Sequence, residues 1–197
     1  VFSSAGAPIA AWGGLGAGNG QFKAPSGVAV APSGTVYAVD NVNSTVQFFS
    51  PSGAFLGTLG QKGAGNGEFA SPTGIDIDGA GNVYVSDSGN DRIQKFTSAG
   101  AFLYTIGATG SGPGQLSGPK GITLDEQGNL YVADAGNNRV QKLTPGGAFV
   151  SEIRSAVGAG DFSTPTSVAI DNAGTLYVIA NPYSQILAYP PAGQAYA

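Results

Sequence analysis

The chain has 197 residues, a length suited to one large domain or to a short array of repeated units. Only 10% of residues are charged, against about 25% in an ordinary soluble domain, and the net charge of −4 excludes a basic nucleic-acid footprint. Cysteine and histidine are both absent, which removes disulfides, thiol nucleophiles, Cys- or His-ligated metals and Ser-His-Asp chemistry.

Taken in chain order, Val-Phe-Ser-Ser lacks the basic n-region of a signal peptide, and no uncharged apolar run reaches the ~18 residues of a membrane-spanning helix. The string GAGNGQF at residues 16–22 then returns as GAGNGEF at 63–69, as GSGPGQL at 110–116 and in shortened form as GAGDF at 158–162. Phe22, Phe69 and Leu116 stand 47 residues apart, and Phe162 follows after 46. Each unit repeats the same phrases. An alternating segment (GVAVAP, GIDID, GITLD, SVAID) leads through a turn to TVYAVD, NVYVSD, NLYVAD or TLYVIA. A third run follows (TVQFF, RIQKF, RVQKL, QILAY), then a fourth (AFLGTLG, AFLYTIG, AFVSEIR). Runs this short, rich in β-branched and aromatic residues and bounded by glycine turns, are strand signals. Four antiparallel strands per unit of this period predict an all-β propeller of four-stranded blades. The chain divides into a partial blade at 1–21 and repeats at 22–68, 69–115, 116–161 and 162–197.

The phrases GNVYVSDSGNDRIQKF (81–96) and GNLYVADAGNNRVQKL (128–143) closely resemble the NHL repeat, and the resemblance extends over nearly the whole chain. It implies a β-propeller, usually of six blades, in a family that includes protein- and RNA-binding scaffolds, extracellular sensor domains and a few lyases. About four repeats fall short of six, so a closed four-bladed ring, a segment of a longer array, and copies joined end to end all stand open. Ring closure would use Ile9–Trp12 as the outer strand of the last blade. No charged residue occurs before Lys23 or after Asp171, leaving the ends without the charges that normally guard sheet edges. Ile9, Trp12, Ile186, Tyr189 and Tyr196 are therefore the candidates for ring closure or self-association through strand addition.

Asp87 with Arg92 and Asp134 with Arg139 are read as braces across the second strand turn; the first unit has Thr45, and the fourth has Ala180 and Gln185. Asp76 and Asp78 alternate on one strand, but DIDGAGN lacks the twelfth-position Glu of a calcium loop, and no metal or cofactor is expected. The lyases of the resembling family carry channel-mouth histidines, commonly with a metal. This chain has no residue to match, and no catalytic residues are assigned. The glycine linkers lack the Lys-Ser/Thr ending of a phosphate loop. One propeller face gathers the linkers and the second-to-third strand turns, with Lys23, Asn41, Asn43, Asn90, Asp91, Lys120, Asn137 and Asn138 as candidate contacts for a protein or glycan ligand. Asn43-Ser44-Thr45 is also a glycosylation sequon. The expectation is a non-enzymatic interaction scaffold, secreted or on the cell surface, with no nucleic-acid partner. The alternatives are a structural subunit polymerising through its charge-free ends and, more remotely, a lyase.

Overall fold

The computed structural model describes residues 4–7, 9–154, 163–181 and 185–191. Short strands β1 (Gly14–Leu15) and β2 (Gln21–Phe22) pair in parallel ahead of the first blade. Blade one is β3 (Pro25–Val30), β4 (Val36–Asp40), β5 (Thr45–Phe49) and β6 (Phe55–Leu59). Blade two is β7 (Pro72–Ile77), β8 (Val83–Asp87), β9 (Arg92–Phe96) and β10 (Phe102–Ile106). Blade three is β11 (Pro119–Leu124), β12 (Leu130–Asp134), β13 (Arg139–Leu143) and β14 (Phe149–Ile153). Blade four is β15 (Ser163–Ile170), β16 (Leu176–Asn181) and β17 (Gln185–Tyr189), a sheet of three strands among the described residues. Every pairing within a blade is antiparallel between sequence neighbours, so each blade is a meander. The fold is the predicted propeller of four NHL-like blades, and no helix among the described residues is long and apolar enough to cross a membrane.

Alternation along each strand gives a blade two apolar faces. The front looks toward the next blade and the rear toward the preceding one. Tyr37, Val39 and Val46 on the front of blade one bury against Phe69, Ile75, Val83, Val85 and Phe96 on the rear of blade two. The same positions recur one period on, where Tyr84, Ile93 and Ile106 meet Leu116, Ile122, Leu130, Val132 and Leu143. At the third junction Ala133 and Val140 meet Val168, Leu176, Val178 and Ala180. The core is thus three separate clusters, one per junction. The inner strands pack in series, β3 on β7, β7 on β11 and β11 on β15, while among the described residues β3 and β15 make no comparable contact and blades four and one are not joined.

What lets the inner strands approach is a glycine at one register. A Cβ on Gly27 would stand 2.7 Å from the Thr73 carbonyl oxygen, and one on Gly121 would stand 2.6 Å from Ser167 Cα; Gly74 is crowded in the same way by the Lys120 carbonyl. Blade four carries Ser167 there. Replacing Gly121 with Ala should therefore cost about 1–3 kcal/mol by forcing blades three and four apart. Gly79→Ala, where nothing lies within 4 Å of the added carbon, should stay within ~0.5 kcal/mol of wild type. Urea unfolding of the two variants side by side measures the difference.

Candidate interaction surface

The turn from second to third strand in blades two and three is a single 3₁₀ turn (Ser88–Asn90 and Ala135–Asn137) ending in a left-handed residue, Asp91 at φ +54° and Asn138 at +52°. Asp and Asn tolerate that conformation better than other non-glycine residues. The turn brings four polar side chains onto the glycine linker. Asp134 Oδ2 accepts from Arg139 Nε (2.7 Å), Asn137 Nδ2 (2.9 Å) and Gln141 Nε2 (3.1 Å), while Oδ1 accepts the Ser117 N–H at 2.7 Å. Arg139 Nη2 and Gln141 Nε2 then donate to linker carbonyls, at Gly112 and Gln115 for the arginine and at Gln115 for the glutamine. Asn137 donates to Gly110 O at 2.8 Å, and the Gly114 N–H donates to Gln141 Oε1 at 2.9 Å. Asp87, Asn90, Arg92 and Gln94 build the same bracket one blade earlier, with Arg92 Nε 2.7 Å from Asp87 Oδ2. The Asp–Arg braces read from the sequence are present, and each is the centre of a larger linker clamp.

Blade one keeps the clamp without its arginine. Asn43 donates to Gly16 O and Gln47 to Gln21 O, and Asp40 accepts the Lys23, Ala24 and Asn43 N–H groups. Burial alone pushes the Asp40 carboxyl up, but those backbone donors and the Asn43 amide outweigh it and hold the carboxyl below the usual range. At the opposite end of the sheets, burial raises Asp78 and Asp125, yet Asn82 with Lys95 and Asn129 with Lys142 bring both below the ordinary value. Lys95 Nζ lies 3.3 Å from Asp78 and 4.6 Å from the Tyr84 ring centre; Lys142 repeats the arrangement 3.1 Å from Asp125 and 4.9 Å from Tyr131. Among the described residues no buried side-chain nitrogen or oxygen lacks a partner, and no three acidic residues converge as a metal would require.

Most side chains expected to greet a ligand are thus engaged inside the propeller. Asn43, Asn90 and Asn137 clamp linkers. Asn41 donates to Pro72 O of blade two at 3.0 Å. Asp91 accepts from the Gly118 N–H and Thr109 Oγ1, and Asn138 accepts the Thr164 N–H at 2.8 Å. A glycan on Asn43 would take the nitrogen that donates to Gly16 O and Asp40. Lys23 is exposed, and Lys120 enters a different feature, a groove of about 580 Å³ before the four inner strands. Ser26, Thr73, Asp76, Lys120, Thr123, Thr166 and Ser167 supply its polar lining. Burial, outweighing the Ile77 and Leu124 N–H donors and Thr123, raises the Asp76 carboxyl above its usual range. Of the residues assigned to the ends, Ile9 and Ile186 are exposed. Trp12 instead packs over Gly53 beside Phe49, Tyr189 lies in the junction of blades three and four, and Tyr196 falls outside the described residues.

The NHL repeat model matches residues 69–96 and 116–143, which lie in the two central blades of the propeller. No curated protein matches the sequence. The fold is similar to a chain of the nidogen/laminin complex (22% identity, TM-score 0.70, covering 86% of this chain and 62% of that one). It is similar also to hydrazine synthase of Kuenenia stuttgartiensis (19%, 0.67, 85% and 46%) and to virginiamycin B lyase of Staphylococcus aureus (18%, 0.62, 86% and 57%). The chain spans roughly half to three-fifths of the length of these structures.

Two predictions follow the clamp and its carboxylates. Arg139 is buried, so Arg139→Ala leaves Asp134 uncompensated and should cost ~3–5 kcal/mol. Arg154→Ala, which removes a solvent-exposed pair with Glu152, should leave the midpoint close to that of wild type in the same urea titration. Asp40, Asp78 and Asp125 have folded values below their unfolded ones, so the stability they add is complete above the usual carboxylate value of ~3.9 and is lost as pH falls through the folded values. Asp76 acts in the opposite sense, but it is one group against three. The urea midpoint should drop as the pH is taken below about 4, read by circular dichroism.

Proposed function

We propose that this chain is a non-enzymatic interaction scaffold, working outside the cell or on its surface, that seats a polypeptide in the groove before its inner strands. The observation carrying this reading is the groove itself. Its volume, about 580 Å³, falls in the range of ligand-binding clefts. Ser26, Thr73, Thr123 and Thr166 give each blade a hydroxyl there, beside the Lys120 ammonium. Ser26 already donates to the Pro72 and Thr73 carbonyls and Thr166 to Ile179 O, so these hydroxyls offer lone pairs to the N–H groups of an extended peptide while Lys120 offers donors to its carbonyls. The linker clamps of blades one to three hold their inner strands in place beforehand, which lowers the ordering cost of binding. The likeness to a chain of the nidogen/laminin complex agrees with a protein partner. The lyase neighbour supports no transfer of chemistry. One of its structures is catalytically inactive through replacement of a histidine by alanine, and residues 1–197 of this chain contain no histidine.

Selection of displayed random peptides on the intact chain tests the reading. Lys120→Glu and Thr73→Val should each weaken a selected peptide ~10-fold or more, whereas Lys62→Glu, on an exposed linker, should leave it within ~2-fold. Peptides whose binding ignores both groove substitutions would overturn the proposal.

A further inference from the structure

The two ends of the propeller expose the halves of a junction that the chain builds three times inside itself. On the rear of a blade, the residue after the inner-strand glycine position is Ile75, Ile122 or Val168 in blades two to four, each 6–8% exposed; in blade one it is Val28, at 68%. Val30, two residues on, is exposed as well. On the front, Val46, Ile93 and Val140 are 0–1% exposed, while the equivalent Ile186 of blade four is at 70%. Tyr177 and Ile179 are exposed beside it, where Tyr37, Tyr84, Val39, Ser86 and Ala133 are buried in the other blades. We propose that these faces are mates: the rear of blade one docks on the front of blade four of a second copy, head to tail, in the register of the internal junctions.

Four observations select a second copy as the occupant. The repeat makes the two faces complementary, because each internal junction joins the same positions of a front and a rear. Neither face presents a cation: Ala188 stands where blades two and three carry Lys95 and Lys142, the rear of blade one offers Val28, Val30, Val36 and Ala38, and the carboxylate on the front, Asp171, accepts the Tyr177 hydroxyl as Asp78 accepts that of Tyr84. The segment leading into blade one is already placed as a neighbour's outer strand would be. Trp12 covers Gly53 as Leu59 covers Gly100 and Ile106 covers Gly147, and Gly16 O receives Asn43 as Gly63 O receives Asn90. Ile9–Trp12, one 47-residue period before Leu56–Leu59, would then run along β17 of the partner copy, the last strand of a sheet with three strands among the described residues.

Ser167 shapes the strength of this contact. Where the other blades have the glycine that admits the next inner strand, its Cβ keeps the second copy's β3 farther away. The junction between copies is therefore wider at the channel than the junctions within a chain, and the association is weaker and reversible.

Light scattering over a hundredfold concentration range tests the proposal on residues 1–197. The mass should rise from 19.5 kDa to double that value or beyond; a plateau at two copies means the pair closes into a ring, continued growth means an open series, and both need the head-to-tail contact. Val28→Lys and Ile186→Lys alter exposed side chains, so each monomer should keep its unfolding midpoint while its self-association weakens ~10-fold or more. Mixing the two variants leaves one intact front and one intact rear, and pairs that stop at two copies should form. Ser167→Gly should tighten association several-fold. A mass fixed at 19.5 kDa, variants that assemble as wild type does, a mixture that stays monomeric, or no tightening by Ser167→Gly would each overturn the inference.

Discussion

Asp134 accepts one backbone N–H and three side-chain donors, and those donors in turn hold the carbonyls of the linker that enters the blade. Most of the architecture depends on this clamp. A glycine-rich linker of seven residues has high conformational entropy, and of its own polar side chains only the penultimate one, Gln21, Glu68 or Gln115, braces it, by accepting the N–H of Gly18, Gly65 or Gly112. Backbone carbonyls supply the missing handles, and a buried carboxylate organises the donors that grip them. Because the clamp joins residues 27 positions apart, it sets where each outer strand ends and where the next inner strand starts. It is an expensive arrangement to bury without its donors: Asp, Asn and Gln stay together in blades one to three, Arg joins them in blades two and three, and all are absent from those positions in blade four.

Packing and clamping divide the labour. The junction clusters are mutually separate, so the stability of this fold is a sum over neighbours in the manner of other repeat arrays. Such a sum has no term that closes the ring. Curvature comes from how a front meets a rear, and the number of blades depends on how many meetings occur. The same surface that makes the interior is thus available at either end, and the sequence differences at those ends, Ser167 for glycine and Ala188 for lysine, tune one recurring contact.

Strand identity, blade count and the Asp–Arg braces were legible in the sequence, because a 47-residue period repeats the alternation, the turns and the paired charges in fixed order. The asparagines were read as ligand contacts, and the reason they are otherwise occupied is physical. A polar side chain in a turn reads identically whether it faces water or a carbonyl 27 residues earlier. The groove was hidden because its lining is contributed by four strands, each offering only one or two polar residues to it. Tyr189 misled through composition: an aromatic in a charge-free end suggests an interface, but its register with Leu176 turns it toward blade three. The register that buries Ile75, Ile122 and Val168 was present in the aligned phrases and identifies Val28 as their exposed counterpart.

The chain has a single tryptophan, and its indole rests on Gly53 with its ring centre 6.4 Å from that of Phe49. Its emission reports on one place, the docking of the first segment on blade one, and is blind to the separation of blades two, three and four. Fluorescence and circular dichroism therefore probe different events in the same molecule. A gap between their transitions measures how far the first segment detaches before the sheets are lost, which gives this propeller an intrinsic optical gauge of cooperativity.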